Sequence, residues 1–145
     1  MKPTPFDQAF ERSPVGMAFL TEDGTVLSAN PALVSMVKTP RAQVEGSALE
    51  IHLRPEDVAL WREFFGKFRQ GRGTSDSLES GYRTAEGDQA WWSLHLSAQP
   101  PGKPRAAAWF AVVQDVTARR AAEDKLREAR RLAEGASRAK SEFLA

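Results

Sequence analysis

Ala90-Trp91-Trp92-Ser93-Leu94-His95-Leu96-Ser97-Ala98, followed after a proline-rich break by Ala106-Ala107-Ala108-Trp109-Phe110-Ala111-Val112-Val113-Gln114, decides the fold. In the first run Trp92, Leu94 and Leu96 alternate with Trp91, Ser93, His95 and Ser97, the two-residue period of a strand with one face on a core. The second run is almost continuously apolar, so both of its faces are expected to be covered. Gln99 to Arg105 holds three prolines and a glycine and reads as a loop. Upstream, Ser77 to Thr84 reads as a further strand, joined to the first by the turn Ala85-Glu86-Gly87-Asp88.

Further toward the N-terminus, Gly16 to Leu20 and Val26 to Ala29 read as a hairpin, with Asp23-Gly24 as its turn. Asn30-Pro31 opens a helix: Asn suits the N-cap, and Pro suits the first helical position, where a missing N–H costs nothing. Ala32, Leu33, Met36 and Val37 form its apolar face, and Pro40 is expected to end it. Gln43 to Gly46 reads as a short turn. A longer helix starts at Pro55-Glu56-Asp57, with Val58, Trp61, Phe64, Phe65 and Phe68 at helical spacing, and Gly71-Arg72-Gly73 stops it. Phe6 to Arg12 reads as a short amphipathic helix closed by Ser13-Pro14. The expected fold is α+β: a five-stranded antiparallel sheet with short helices on one face.

From Val116 the composition changes to Ala, Glu, Lys, Arg and Leu, without proline. Ala122, Leu126, Ala129, Ala133, Ala136, Lys140 and Phe143 alternate spacings of three and four, the heptad pattern of a coiled coil. The small residues, Gly135 and Lys140 make this seam a weak one. The expected organisation is an N-terminal helical cap over 1–12, a globular domain over 13–117 and a helix over 118–145.

Composition removes several function classes. There is no cysteine, so disulfides, thiolate metal sites, cysteine nucleophiles and cysteinyl-flavin photochemistry are out. The two histidines, His52 and His95, have no spacing that suggests a zinc site, and no metal is expected. A net charge of +1 argues against a nucleic-acid surface. No apolar run approaches the roughly 20 residues of a membrane helix, and no signal peptide precedes the domain, so a cytoplasmic location is expected, with any anchor outside this chain. Glu11, Asp23, Asp57 and Asp88 fall in turns or helix starts, with no nucleophile–histidine–carboxylate set and no glycine-rich phosphate loop, so the chain is not read as an enzyme.

Phe10-Glu11-Arg12-Ser13-Pro14-Val15-Gly16-Met17-Ala18, then Asp23-Gly24 and Ala29-Asn30-Pro31-Ala32, resembles the opening of a PAS domain. Gly87 followed by Trp91 resembles its fourth strand. Asp115-Val116-Thr117, with Arg120, Ala122-Glu123 and Leu126 after it, resembles the Asp-X-Thr exit into a signalling helix. Ala139-Lys140-Ser141-Glu142-Phe143-Leu144-Ala145 is similar to the segment just before the phosphoacceptor histidine of sensor histidine kinases. The resemblance implies a bacterial two-component parent that uses ATP and Mg to phosphorylate itself and then a response regulator. This chain, with neither that histidine nor an ATP-binding lobe, is expected to be its non-catalytic sensory piece and to pair with a second copy.

The resemblance also implies where sites would lie. A ligand would sit between the sheet and the helices, beside Trp61, Phe64, Phe65 and Trp92; the same aromatics serve equally well to fill a core. Haem is not expected, because the helix that carries Trp61 has no histidine and His52, beside an Arg-Pro turn, is expected to be exposed. Asp115 and Thr117, with Arg119 and Arg120 as nearby partners, are expected to couple sheet to helix, or simply to end the strand and cap the helix. Trp91 is expected on the outer sheet face, covered by Phe6 and Phe10 or by a second subunit, with Leu126 in the paired helices. The alternative reading is an interaction scaffold that recruits a localisation partner and holds no small ligand.

Overall fold

A computed structural model describes residues 2–71, 75–100 and 107–144. It divides into two units, one up to Asp115 and one from Val116 onward. The first unit opens with α1 (Pro5–Arg12), capped by Thr4, whose hydroxyl accepts from the Asp7 N–H while the Asp7 carboxylate takes the Thr4 N–H. Then come β1 (Gly16–Leu20), β2 (Val26–Ala29), α2 (Pro31–Val37), α3 (Arg41–Val44), 3₁₀ turns at Leu49–His52 and Pro55–Asp57, α4 (Val58–Arg69), β3 (Ser75–Arg83), β4 (Gln89–Ala98) and β5 (Trp109–Asp115). The sheet is antiparallel in the order β2-β1-β5-β4-β3, so the first and last strands are central neighbours. The β1–β2 turn needs a positive φ at Gly24, which lies at +90°.

Alternation decides what each face does. Ala18, Leu20, Ala29, Trp92, Leu94, Leu96, Trp109, Ala111 and Val113 point to the inner face and are buried. Leu33, Val37, Val44, Leu49, Leu53, Trp61, Phe64, Phe65 and Phe68 cover them from the helical side. Three alanines stand side by side across β2, β1 and β5: Ala18 pairs with Ala29 and with Ala111. Such small side chains let α2 lie close to the sheet. The opposite face carries Phe19 and Phe110, directly paired and with ring centroids 5.0 Å apart. The rings of Phe6 and Phe10 lie 6.1 and 5.6 Å from Phe19, which seats α1 on that face.

Asn30 ties these layers together. Fully buried, it accepts from the N–H of Met17 and of Leu33 through Oδ1 and donates through Nδ2 to the carbonyls of Phe10 and Val15. One side chain thus caps α2 and fixes the chain leaving α1 and entering β1.

The expected boundaries shift in a few places. α2 stops at Val37, not at Pro40, because Lys38 takes a left-handed conformation (φ 51°) that lets its N–H turn back on the carbonyls of Ser35 and Val34. Arg41–Val44 makes one helical turn, which overlaps the turn expected over Gln43 to Gly46. The expected helix start at Pro55 is a 3₁₀ turn, with α4 proper beginning at Val58. β5 begins at Trp109; Ala107 and Ala108 are not strand, while Ala106 and the stop at Arg72-Gly73 lie outside the described residues. β5 is fully buried on one face and half-buried on the other.

The second unit is α5 (Thr117–Leu144), one uninterrupted helix of 28 residues. Arg119–Glu123, Arg127–Asp124 and Arg131–Glu128 pairs lie along it at spacings of three or four. Leu126, Leu132 and Phe143 are exposed.

Candidate functional site

The last residue of β5 is held by a residue two strands away. Tyr82 on β3 lies flat on Trp92 of β4, ring centroids 4.6 Å apart, and its hydroxyl donates to Oδ2 of Asp115 on β5. The contact thus spans the width of β4. Trp92 is itself fixed, its Nε1 donating to Ser80 Oγ at 2.9 Å. Burial, first, and then the hydrogen bond and charge of Asp115 push the Tyr82 hydroxyl well above the ordinary tyrosine value, so it stays a donor. Two residues after Asp115, at Thr117, α5 begins.

Next to Tyr82 the segment before α4 is buckled onto the outer edge of β3. Leu53 forms an isolated bridge with Tyr82. Arg54 Nε donates to Asp57 Oδ2 at 2.6 Å, and the same oxygen accepts the Gly81 N–H at 3.2 Å. The guanidinium carbon of Arg54 then lies 4.3 Å from the centre of the Trp91 ring. This works because residue 81 is glycine: a Cβ there would sit 1.9 Å from Arg54 Nε. Trp91 is half-buried under this guanidinium, while Phe6 and Phe10 stack toward Phe19.

The four aromatics named for a ligand pocket separate into two groups. Trp61 stacks on Phe65 at 5.1 Å and meets Phe64 at 6.0 Å, and Phe65 turns its edge to Trp109. Trp92 belongs with Tyr82 instead. The inner rings fill the core, and beside Trp61 and Phe65 a cleft of about 300 Å³ opens between α4, Leu49–Glu50 and the Asp23-Gly24 turn. Arg62 on its rim is held by both oxygens of Glu50 at 3.0 and 3.1 Å.

His52 is buried, not exposed as expected from the Arg-Pro turn that follows it. The 3₁₀ turn at Leu49–His52 folds its ring inward, to within 3.2 Å of Ser47 Oγ. Desolvation holds its pKa below the ordinary histidine value. Among the described residues no cluster of histidine and carboxylate groups could hold a metal ion, and no helix is long and apolar enough to cross a membrane.

Sequence reasoning found Asp115 but missed the residue that holds it. Tyr82 is the sole tyrosine, and its place on a strand's inner face was readable from alternation, but a partner two strands distant was not. Gly81 did carry a signal: glycine inside a strand marks close approach of another group.

An antiparallel sheet with helices on its inner face, and a helix entered directly from the final strand, define a sensory-type α+β module. The family model described as the PAS fold matches residues 10–121, and the chain belongs to that family. No curated protein matches it significantly. Among solved structures it resembles the PAS domain, in complex with ethanol, of a LuxR-family transcriptional regulator from Burkholderia thailandensis (18% identity, TM-score 0.64, covering 78% of this chain and 98% of that one). It also resembles a domain of a sensory box sensor histidine kinase/response regulator from Geobacter sulfurreducens (20%, 0.65, 76% and 90%). An RNA-binding light-oxygen-voltage receptor matches more of this chain (18%, 0.71, 93%) over 42% of its own. At these identities the likeness is one of fold.

Proposed function

We propose that this PAS module is the cytoplasmic sensory part of a two-component sensor histidine kinase, acting as a homodimer through α5. A ligand or partner favours one arrangement of the sheet. Asp115 passes that preference to α5, and α5 biases autophosphorylation of a kinase domain that uses ATP and Mg and supplies a response regulator. Thr117, Arg119 and Arg120 begin the helix that would carry the signal, and Leu126 lies in its dimer seam. The observation that carries this reading is the Tyr82–Asp115 hydrogen bond, which restrains the last strand residue just before the helix starts. An effector shifts such an equilibrium only by its difference in affinity for the two states. The test is Asp115→Ala in the chain fused to its kinase domain. Output should lose its dependence on the signal while the domain stays folded; an unchanged response contradicts the proposal.

A second reading, an interaction scaffold without a small ligand, is favoured by one observation: Trp61, Phe64, Phe65 and Trp92 are all buried and packed on other rings. Here the outer face, with Phe6, Phe10 and Trp91, meets a second copy or a localisation protein, and Trp91→Ala disturbs assembly. Native mass spectrometry and absorbance of the purified chain separate the two: a stoichiometric small molecule supports sensing, and its absence supports the scaffold.

A further inference from the structure

Behind His52 lies a second cleft, of about 430 Å³, between the Leu49–His52 turn, the start of α3 and the β3–β4 turn. His52, Gln43, Thr39, Arg83 and Thr84 face it, with Ile51 as an apolar wall. Its volume is in the range of small-molecule sites.

The hydrogen bonds around His52 assign its tautomer. Ser47 has one hydroxyl hydrogen, and it goes to the Val44 carbonyl at 2.5 Å. The oxygen of Ser47 is left to accept, so His52 Nε2, at 3.2 Å, carries the hydrogen. Neutral His52 then has a bare lone pair at Nδ1. No buried side-chain nitrogen or oxygen among the described residues is without a partner, and Nδ1 has none, so it is accessible on a ring that lines the cleft.

The other lining groups are donors with capacity to spare. The Arg83 guanidinium makes no ion pair among the described residues. The carboxylates of the neighbouring turn, Glu86 and Asp88, make their ion pairs with Lys38, each at 3.1 Å, and not with Arg83. The Gln43 amide makes no hydrogen bond among the described residues. Thr84 Oγ1 accepts from the Asp88 N–H and keeps its own hydrogen to donate. The cleft therefore offers one guanidinium without an ion pair among the described residues, suited to a planar carboxylate, and one imidazole acceptor, suited to a hydroxyl.

We propose that this cleft binds a small hydroxycarboxylate, with the carboxylate on Arg83 and the hydroxyl donating to His52 Nδ1. Gln43 and Thr84 supply further donors to the carboxylate. Arg83 directly follows Tyr82 on β3, so an occupant would bear on the strand that holds Asp115. That consequence rests on the sensory reading above; the binding does not.

The chain contains only two histidines, and His95 is on the other face of the sheet beside Ser75, so one ring is the probe and the other its control. The ring resonances are followed by NMR while the full chain is titrated with L-lactate, and separately with propionate, which has the same carbon skeleton without the hydroxyl. Lactate should shift His52 saturably and leave His95 in place. Propionate should bind about tenfold more weakly, the loss of one hydrogen bond. Arg83→Gln, at an exposed position, should weaken lactate at least about tenfold while the spectrum stays that of a folded protein. His52 unmoved at tens of millimolar lactate, equal shifts of both histidines, equal affinity for propionate, or indifference to Arg83→Gln would each overturn the site. Saturable lactate binding that leaves kinase output unchanged would instead count against the sensory reading alone.

Discussion

Replacing Tyr82 by Phe removes one oxygen and leaves the ring on Trp92. The lost interaction is a hydrogen bond to a carboxylate, for which about 1.5–3 kcal/mol is usual in a buried setting. Asp115 is exposed and its charge is screened by solvent, so the loss falls below that range, to about 1 kcal/mol. That corresponds to a fall in Tm of roughly 3–5 °C for a domain of this size. Urea unfolding should show a lower midpoint with an unchanged slope, because the surface buried is the same. Asp115→Asn keeps an acceptor and should lose less. A spectroscopic arm tests the same bond without a variant, since Tyr82 is the sole tyrosine and tyrosinate absorbance reports it alone. It should ionise well above the ordinary value near 10, and Asp115→Ala should lower that only in part, because burial is the larger cause. The linkage follows: the folded state keeps the proton that the unfolded state loses, so this stabilisation is complete below about pH 10 and is lost as pH rises beyond it. Wild-type stability in Tyr82→Phe, or tyrosinate forming near pH 10 in the folded protein, would refute the reasoning.

Asn30→Ala should be the more damaging change, costing about 3–4 kcal/mol, because it removes an N-cap and strands buried partners on Met17 and Val15; calorimetry showing a loss below about 1 kcal/mol would contradict that role. Gly81→Ala drives a methyl into Arg54 and should cost about 1–3 kcal/mol, with a change in tryptophan fluorescence as the guanidinium leaves Trp91; an unchanged spectrum and midpoint would count against the clamp. Neutral His52 is favoured in the fold, so its contribution is complete above the unfolded value of about 6.5 and is lost as pH falls below it; an NMR midpoint at or above 6.5 would contradict this.

What could be read in the sequence was what neighbouring residues decide. Asn30-Pro31 announced its helix because cap and first turn are adjacent, and Asp23-Gly24 announced its hairpin because a positive φ needs glycine there. The strands β1 and β2 and the alternation of Trp92, Leu94 and Leu96 were legible for the same reason. Helix α5 followed from thirty residues without proline. The rest depends on contacts between distant segments. The Tyr82 hydroxyl finds Asp115 thirty-three positions away only because β4 lies between them. His52 is buried because Ser47 and the 3₁₀ turn hold its ring, and nothing in Leu-Arg-Pro after it says so. Trp61 and Trp92, alike as sequence, part company because α4 stacks one on Phe65 while β4 lays the other under Tyr82.

The central claim is that α5 carries a rotational preference set at Asp115, and changing the phase of that helix tests it most directly. In the chain joined to a histidine-kinase domain, one residue inserted after Ala121 rotates everything beyond it by about 100°, whereas seven residues restore the heptad phase to within about 20°. Autophosphorylation and its response to signal should change with the single insertion and return with the seven. Equal output from both insertions and the unaltered chain would contradict the account.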